Sequence, residues 1–427
     1  MSTDPLGRRR CLEAHSTIEL EVMMIFVGVD WAETHHDICV INESGSVLAK
    51  RKIPDSFAGV RTLHEMLAPY ADEPSDVVVG IEKDRGLIVT AMLGANYRVY
   101  AMNPLSVARY RERHVVSGSK SDPGDAKVLA DVVRTDRHNH REARGDSEDA
   151  AAIKVLARAH QSAIWSRQRE MNALRSSLKD YFPGALNAFG TDLDDRDALA
   201  ILAIAPTPEL GRTLSLSKIT GALRRGGRRR NLESTASEIQ AALREEQLHE
   251  RPKVELAYGA KTKAHVAMIR AYNAEIETLE KALTEDFEQH PDAKIIRSLP
   301  GLGMVLGARV LGEFGDDPNR YANAKSRRNY AGTSPVTKAS GKSKTVLARH
   351  ARNKRLADAA DLWAFCSLKG SPGARAYYDE LRSREKTHRQ ATRQLANRWI
   401  GILHACLEQQ VTYDENLAWK HRSDIAA

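Results

Sequence analysis

Short apolar runs separated by turn residues fill the first part of the chain. Three of them follow one another closely, at Ile25–Asp30, Asp37–Ile41 and Val47–Ile53, and residues Asn42–Ser46 between the second and third have the composition of a turn. Runs of this length predict strands, and connections this short join antiparallel neighbours. We therefore predict that the folded chain opens with an antiparallel meander.

Two more apolar runs follow, and helical segments separate them. The predicted elements are helix Ala58–Leu67, strand Val77–Glu82, helix Leu87–Leu93, strand Arg98–Met102, helix Ser106–Glu112 and a helix that starts at Asp122. Ser121 is a suitable N-cap for this last helix, and Pro123 suits its first turn. A meander followed by helix-linked strands is the order of a ribonuclease-H-like α/β domain, which we assign to residues 25–147.

Residues 148–290 show helical rather than strand periodicity. Two stretches repeat apolar positions at three- and four-residue spacing: Ile153, Ala157, His160, Ile164, Met171, Leu174, Leu178 and Tyr181, then Ile269, Tyr272, Ile276, Leu279 and Leu283. They predict coiled-coil-like seams, which fit either two helices packed within one protomer or dimerisation. Residues 183–255 between them are predicted to be irregular. Their basic run Arg224–Arg230 is either a solvated linker or a phosphate-binding arm.

The ends of the chain form further predicted units. A mainly α-helical domain is predicted at 291–412, followed by a tail at 413–427. This domain opens with Leu299–Ala308, which resembles a helix-hairpin-helix whose glycine turn offers N–H groups to phosphate; a plain glycine turn between helices is the alternative. The first 22 residues are polar and lack a signal-peptide core, and we predict that residues 1–24 are either a disordered extension or the result of a start codon assigned too early.

Composition narrows the class of partner. The 427 residues carry a net charge of +8, with a pI near 9.2, and the four cysteines include no Cys-x-x-Cys pair. These features predict a reduced cytoplasmic protein, and no apolar run reaches the ~18 residues of a membrane span. Residues 318–357 contain no acid but eleven cations: Arg320, Lys325, Arg327, Arg328, Lys338, Lys342, Lys344, Arg349, Arg352, Lys354 and Arg355. This one-sided charge favours contact with nucleic acid.

Four acidic residues are the candidate metal ligands. Asp30 and Glu82 end predicted strands, and Asp122 and Asp125 lie one helical turn apart. Ligands that offer only oxygen suit Mg²⁺ or Mn²⁺, and such ions assist displacement at phosphorus. Surface charge at strand ends and in a first helical turn is the alternative explanation.

Ser340 is the candidate nucleophile, within the acid-free stretch. A serine hydroxyl needs a base, or neutralisation of the phosphate that it attacks, and neighbouring lysines supply positive charge. On these residues alone Ser340 is not distinguished from a loop serine, and Ser326, Ser334 and Ser343 are equally suitable.

The combination and order of these motifs resemble the transposases of the insertion-sequence-110 family. The segments that carry the resemblance, from Phe26 to about Val411, are Gly28–Asp30, Glu82, Met102–Pro104, Lys120–Ala126, Pro300–Gly303, Tyr330–Pro335, Ser340–Lys342, Asn353–Leu356 and His388–Ala391. The sequence departs from the family pattern after the first aspartate, at Trp31–Glu33, and after the glutamate, at Lys83–Gly86. We interpret the additional acids Glu33, Asp37 and Asp84 as surface residues.

The resemblance implies a DEDD-type recombinase with a resolvase-like ribonuclease H domain, a coiled coil and a C-terminal transposase domain. It implies that Asp30, Glu82, Asp122 and Asp125 bind the metal, and that Ser340 forms a covalent phosphoserine link to DNA. Its implied partners are donor and target DNA, a bridge RNA that guides the enzyme, and further copies of the chain, as a dimer assembling to a tetramer on DNA. The predicted nucleic-acid contacts are Lys120, Lys127, Arg327, Arg328, Lys338, Lys342 and Lys344, and the predicted location is the cytoplasm, at the nucleoid.

Three other functions are compatible with parts of the sequence. A junction resolvase would use the metal and water, without a covalent intermediate. An ATPase of the actin/sugar-kinase type shares the opening around Asp30, but no second phosphate-binding hairpin follows. A nucleic-acid-binding protein that has lost catalysis is the third alternative.

Overall fold

A computed structural model describes residues 24–114, 122–143, 145–341 and 343–423. All but one residue of the predicted N-terminal extension lie outside this part, as do Lys120, Lys342 and the last four residues of the predicted tail. The chain divides into two compact units, Met1–Gly145 and Asp146–Ala427. The boundaries of the smaller domains predicted from the sequence stay predictions.

The first unit is a mixed α/β domain. Its strands are β1 (Ile25–Trp31), β2 (His35–Ile41), β3 (Val47–Pro54), β4 (Val77–Ile81), β5 (Arg98–Ala101) and β6 (Arg141–Glu142), and its helices are α1 (Phe57–Leu67), α2 (Leu87–Gly94), α3 (Pro104–His114) and α4 (Asp122–Asp136). The strand order is β3-β2-β1-β4-β5-β6. Strands β1 to β3 are antiparallel, β4 pairs in parallel with both β1 and β5, and β6 is antiparallel to β5.

Helix α4 packs closely on the centre of this sheet, and glycine makes the approach possible. Gly28 of β1 and Gly80 of β4 are paired in register. A Cβ atom at Gly28 would collide with the carbonyl oxygen of Ala126, and one at Gly80 would lie 2.7 Å from that of Leu129. A side chain at Gly28 would push the helix off the sheet, because the obstacle is backbone and cannot rotate away.

The direction of α4 follows from its contacts. Ala126, near its start, meets Gly28, whereas Arg134, near its end, donates from Nη1 to the carbonyl oxygen of Glu43 at 3.2 Å. Glu43 lies in the turn after β2, beside the first residues of β1, because Ile41 pairs with Phe26. The N-terminus of α4 therefore points toward the carboxyl end of β1.

The second unit is mainly helical. Its helices are α5 (Glu148–Tyr181), α6 (Pro183–Phe189), α7 (Arg196–Ile204), α8 (Pro208–Thr213), α9 (Leu216–Arg225), α10 (Leu232–Arg244), α11 (Pro252–Gln289), α12 (Ala293–Ser298), α13 (Met304–Phe314), α14 (Ala324–Ala331), α15 (Lys354–Ser367), α16 (Pro372–Ser383), α17 (His388–Gln409) and α18 (Glu415–Ser423). One hairpin interrupts them, β7 (Val336–Ser340) with β8 (Ser343–Leu347). The predicted combination of an α/β first domain and a helical remainder is confirmed. Among the described residues no helix is long and apolar enough to cross a membrane.

The two predicted seams lie on α5 and α11, which pack against each other within one chain. Their two ends join different cores. Leu174, Leu178 and Ile269 are buried with α6–α10, whereas Ile153 and Leu283 are buried with α12–α17. The seams thus have partners inside the protomer, and a dimer formed through these helices stays a prediction.

The prediction that residues 183–255 are irregular is wrong, because five helices, α6 to α10, lie there. Each has at most 13 residues, so the helical period is sampled too briefly to stand out in the sequence. Burial of residues such as Ile219 and Ile239 in a core that also contains residues of α5 and α11 supplies the stability that short helices lack alone. The basic run starts inside α9, and Nε of Arg228 is 2.5 Å from Oδ2 of the buried Asp197.

The glycine turn between α12 and α13 is a packed turn. Gly301 has φ +87°, and a Cβ there would lie 2.6 Å from the backbone nitrogen of Ser367 at the end of α15. Nε1 of Trp363 donates to the carbonyl oxygen of Pro300 at 2.9 Å. Close packing therefore accounts for this glycine. Phosphate binding at the turn stays a prediction.

A buried carboxylate ties α5, α13 and α15 together. Arg158 donates from Nε and Nη2 to the two oxygens of Glu313 at 2.7 and 2.8 Å, and Nδ2 of Asn353 donates to Oε2 at 2.6 Å. Burial alone raises the pKa of Glu313, but these hydrogen bonds and the charges of Arg158 and Lys154 hold it below its usual value of 4.5. Asn353 also caps α15 through Oδ1, so the network fixes where α15 begins.

We expect Glu313→Gln to lower the free energy of unfolding by about 3 kcal/mol at pH 7, because it removes the buried negative charge that Arg158 and Asn353 contact. The folded pKa is depressed, so the contribution of the carboxylate is complete above pH 4.5 and is lost as the pH falls through the folded value. Urea unfolding should be measured at several pH values from 7 down to 3.5. The difference in the free energy of unfolding between wild type and variant should become smaller below pH 4.5. Glu288→Gln, in an exposed pair with Arg297, is the control and should change stability by less than about 1 kcal/mol. A gap that stayed constant across this range would contradict the assignment.

Candidate active site

Two of the four predicted acids lie side by side at one edge of the sheet. The last register pair of the parallel strands β1 and β4 is Val29 with Ile81, and Asp30 and Glu82 are the next residue of each chain segment. Asp30 is half-buried and Glu82 is exposed. Because side chains alternate along a strand, Asp30 points to the same face as Gly28, the face that α4 covers.

The other two acids belong to the helix end that approaches this edge. Asp122 is the first residue of α4, with only its backbone described, and Asp125 follows one turn later. Asp125 is buried, and Nη2 of Arg111 on α3 lies 2.5 Å from its Oδ1. The fold therefore brings the backbone positions of all four acids to one corner of the domain. The pairing of Asp125 with Arg111 gives no signal in the sequence, since only the packing of α3 against α4 creates it.

This corner has the donor chemistry of a magnesium or manganese site. Its ligands would be carboxylate oxygens, which these hard cations prefer. Among the described side chains, which do not include that of Asp122, no three acids, histidines or cysteines stand close enough together to hold a metal ion. Arg111 pairs with Oδ1 of Asp125 and would compete with a cation for that oxygen.

Ser340 lies at the tip of the β7–β8 hairpin. It is the last residue of β7 and pairs with Ser343 of β8, and the residue that follows it, Gly341, has φ +54°. Ser340 is exposed, as are nearly all residues of both strands. The sequence suggested a loop, and the structure corrects this to a strand end, where alternation places Lys338 on the same face as the serine.

Hydrogen bonding distinguishes Ser340 from two of the serines that were equally suitable as nucleophiles in the sequence. The hydroxyl of Ser334 donates to Oδ1 of Asn329 at 2.5 Å, and that of Ser326 donates to Oδ1 of Asn323 at 3.3 Å. The hydroxyls of Ser340 and Ser343 form no hydrogen bond with any residue that the structure describes.

The base of the hairpin is fixed although its tip is exposed. Asn329 of α14 accepts from Ser334 just before β7, and its Oδ1 also accepts from Nη2 of Arg349, just after β8, at 3.2 Å. On the adjoining side, Thr333 donates to Oδ1 of Asn397 on α17 at 3.2 Å. One helix thus holds both ends of an exposed basic arm.

The predicted nucleic-acid contacts divide into accessible and inaccessible cations. Lys338 and Lys344 are exposed on opposite faces of the hairpin. Lys127 is partly exposed, but its Nζ lies 2.6 Å from Oδ2 of Asp131. Lys120 and Lys342 are outside the described residues.

Arg327 does not fit the predicted contact with nucleic acid. Only 5% of its surface is exposed, and its guanidinium carbon lies 4.8 Å from the ring centre of Tyr321 and 5.2 Å from that of Phe314. Burial lowers the pKa of this arginine. Arg328 is half-buried and packs against Gly401 of α17. Counting basic residues in the sequence overestimates the positive charge that is exposed to nucleic acid, because an arginine stem and its guanidinium also pack well against aromatic rings.

These features define a class of protein: an α/β domain with acids gathered at one sheet edge, joined to a helical unit with an exposed basic hairpin. Comparison with known families agrees. Residues 27–183 match the family model of DEDD transposases of the IS110 type, described as transposase, and residues 293–379 match the model described as "Transposase IS116/IS110/IS902 family".

Full-length relatives extend the match. The "Mini-circle putative transposase for IS117" of Streptomyces coelicolor is 43% identical over 409 residues, which cover 95% of this chain and 99% of the relative. The IS900 uncharacterized 42 kDa protein of Mycobacterium paratuberculosis is 29% identical over 404 residues, 91% of this chain and 97% of the relative. The IS110 uncharacterized 43.6 kDa protein of Streptomyces coelicolor is 26% identical over 418 residues, 93% and 98% of the two chains.

The chain belongs to the IS110/IS116/IS902 family of insertion-sequence transposases. It is therefore an enzyme of DNA transposition, and DNA is its partner.

Proposed function

We propose that this transposase cuts and rejoins DNA strands through a covalent phosphoserine formed by Ser340, with metal held by Asp30, Glu82, Asp122 and Asp125. The observation that carries the proposal is the gathering of the four acid positions where the carboxyl ends of β1 and β4 meet the N-terminus of α4. A meander followed by helix-linked parallel strands supports a ribonuclease-H-like domain.

The chain supplies each chemical requirement of strand transfer. Bound divalent metal would neutralise charge at the scissile phosphate and stabilise the leaving oxygen. Asp30 lies near the end of a strand paired with β4, Glu82 directly follows β4, and Asp125 lies on a helix packed on both strands, so the backbone at these positions has little freedom to move. The hydroxyl of Ser340 would attack phosphorus as the bond to the 3′ oxygen breaks, and the proton that the serine loses would end on the released 3′ oxygen. Attack by a 3′ hydroxyl of a second DNA would then release the serine and rejoin the strand.

The proposal includes a bridge RNA that pairs with donor and target DNA. It rests on the family resemblance, and the exposed cations Lys338 and Lys344 are compatible with RNA or DNA. Assembly of a dimer into a tetramer on DNA belongs to the same proposal. A resolvase that uses metal and water remains the competing function.

A cleavage assay with Mg²⁺ separates the two functions. The full-length protein, expressed together with its element's flanking DNA, is incubated with plasmids that carry the element's ends, with Mg²⁺ or with EDTA. We expect a heat- and detergent-stable protein–DNA adduct and rejoined strands with Mg²⁺, and neither with EDTA, because the acids alone repel the phosphate. Sequencing of the co-purified RNA should recover one structured transcript from an element end. Hydrolysed ends without an adduct, together with unselected RNA, would favour the resolvase.

A further inference from the structure

Three sequence motifs that the proposed chemistry does not use meet around one cleft in the second unit. The cleft has a volume of about 490 Å³ and is bordered by Ala331–Thr333, by the start of α15 and by the first turns of α17. These segments belong to the motifs Tyr330–Pro335, Asn353–Leu356 and His388–Ala391. Folding thus turns separate stretches of sequence into one concave surface.

Four cations line this cleft. They are Arg352, Lys354, Arg389 and Arg393. Within the described part of the chain, none of the four forms an ion pair. Arg389 and Arg393 are one turn apart on α17, so they share a face, and Arg352 lies directly against Gly332, where any Cβ would collide with it. Unpaired cations placed in this way attract an anion with repeated charges.

Trp165 adds an aromatic wall that is held rigidly. Its ring faces the guanidinium of Arg355, 4.9 Å from the ring centre. Arg355 is itself anchored to α5, donating to the carbonyl oxygen of Arg158 and to the side chains of Gln161 and Ser162. Trp165 borders the cleft and Arg355 does not, so the Trp165 side chain lines the cleft beside the guanidinium that packs on its ring.

Two carboxylates that border the cleft indicate which other chemical groups a ligand would need. Asp358 and Asp361 border the cleft on α15, and Asp358 already accepts from Nε2 of Gln161 at 2.8 Å. Carboxylates repel phosphate but accept hydrogen bonds from N–H groups. A ligand that fits has phosphates on the α17 side and a flat group with N–H donors near Trp165 and Asp361.

We propose that this cleft binds an unpaired nucleotide of a nucleic-acid strand, with its base on Trp165 and the adjoining phosphates on Arg389 and Arg393. An aromatic ring within a basic groove is the usual means of holding single strands, whereas a base inside a duplex is stacked on its neighbours and cannot reach the indole. The inference rests on the proposed function only in taking nucleic acid as the ligand, and it is independent of the serine chemistry.

Fluorescence anisotropy of the full-length protein tests the proposal with labelled 15-nucleotide single strands of DNA and of RNA. Each strand is compared with a copy that carries abasic sites at its centre. We expect wild type to bind the intact strand about tenfold more tightly, the effect of one lost base–aromatic stack, and Trp165→Ala to abolish this difference. Whichever of DNA or RNA shows the larger difference identifies the source of the nucleotide.

Charge variants give a second readout. Arg393→Ala should lower the affinity of the protein for intact and abasic strands by the same factor. It should also reduce the slope of log affinity against log salt concentration by about 0.7. Arg375→Ala removes the same charge from an exposed arginine paired with Asp379, and should leave the slope unchanged. Equal affinity of wild type for intact and abasic strands overturns the proposal, even if Trp165→Ala does not fold. Base-dependent binding without any phosphoserine adduct would remove the serine mechanism and retain the cleft.

Discussion

Replacing Ser340 by alanine is expected to abolish the covalent protein–DNA adduct and strand exchange, while DNA binding stays within about twofold of wild type. The nucleophile would be gone, but the cations of the hairpin and the metal ligands would remain. Because Ser340 is exposed at a hairpin tip that is fixed at its base, the free energy of unfolding should change by less than about 0.5 kcal/mol. The adduct is measured on denaturing gels and strand exchange by amplification across the new junctions.

Ser343→Ala is the matched control for this experiment. Ser343 is the register partner of Ser340, is equally exposed and forms no hydrogen bond with the residues that the structure describes. We expect this variant to form the adduct at close to the wild-type rate. Strand exchange by Ser340→Ala, or loss of the adduct only in Ser343→Ala, would assign the reaction to a different group.

The second large effect is expected from Glu82→Gln, which should reduce DNA cleavage at least 10²–10³-fold. This is the order of loss when one electrostatic stabiliser of a transition state is removed. Glutamine keeps the size of the side chain but not the negative charge that would bind a divalent cation. Glu82 is exposed just beyond β4, so the fold should be unaffected, in contrast to the buried Asp125, whose replacement also frees Arg111. Asp125→Asn should lose cleavage as well.

Asp84→Asn is the control for Glu82→Gln. Asp84 is an exposed acid two residues further along the same segment, and as a surface residue it should leave cleavage unchanged. Cleavage at each Mg²⁺ or Mn²⁺ concentration is the measurement. If Glu82→Gln cleaved normally and Asp84→Asn did not, the ligand set would have to be reassigned to Asp84. Asp37, which was also predicted to be a surface residue, is instead buried and pairs in register with Asp30, so that prediction is wrong.

The sequence predicted long or sharply bounded elements well. Strand β1 was expected at Ile25–Asp30 and spans Ile25–Trp31, and α1 was expected at Ala58–Leu67 and spans Phe57–Leu67. Both have a clear apolar pattern, and Ser56 caps the start of α1, so local chemistry alone defines them. Helices α6 to α10 were not predicted because each is too short to show the helical period of apolar residues. Their stability comes from packing against residues distant in sequence.

In the candidate site, too, the sequence predicts some features and tertiary packing decides the others. The sequence determined the residue types: four acids in the order of the family, a serine in a basic stretch, and the family itself. Only the tertiary structure decided that Gly28 lets α4 reach the sheet and bring Asp125 to the edge that carries Asp30 and Glu82. It also decided that Arg327 is buried and that Trp165 lines one cleft together with Arg389 and Arg393. The local sequence specifies which chemical groups the chain carries. Whether those groups come close together depends on packing between segments that are far apart along the chain.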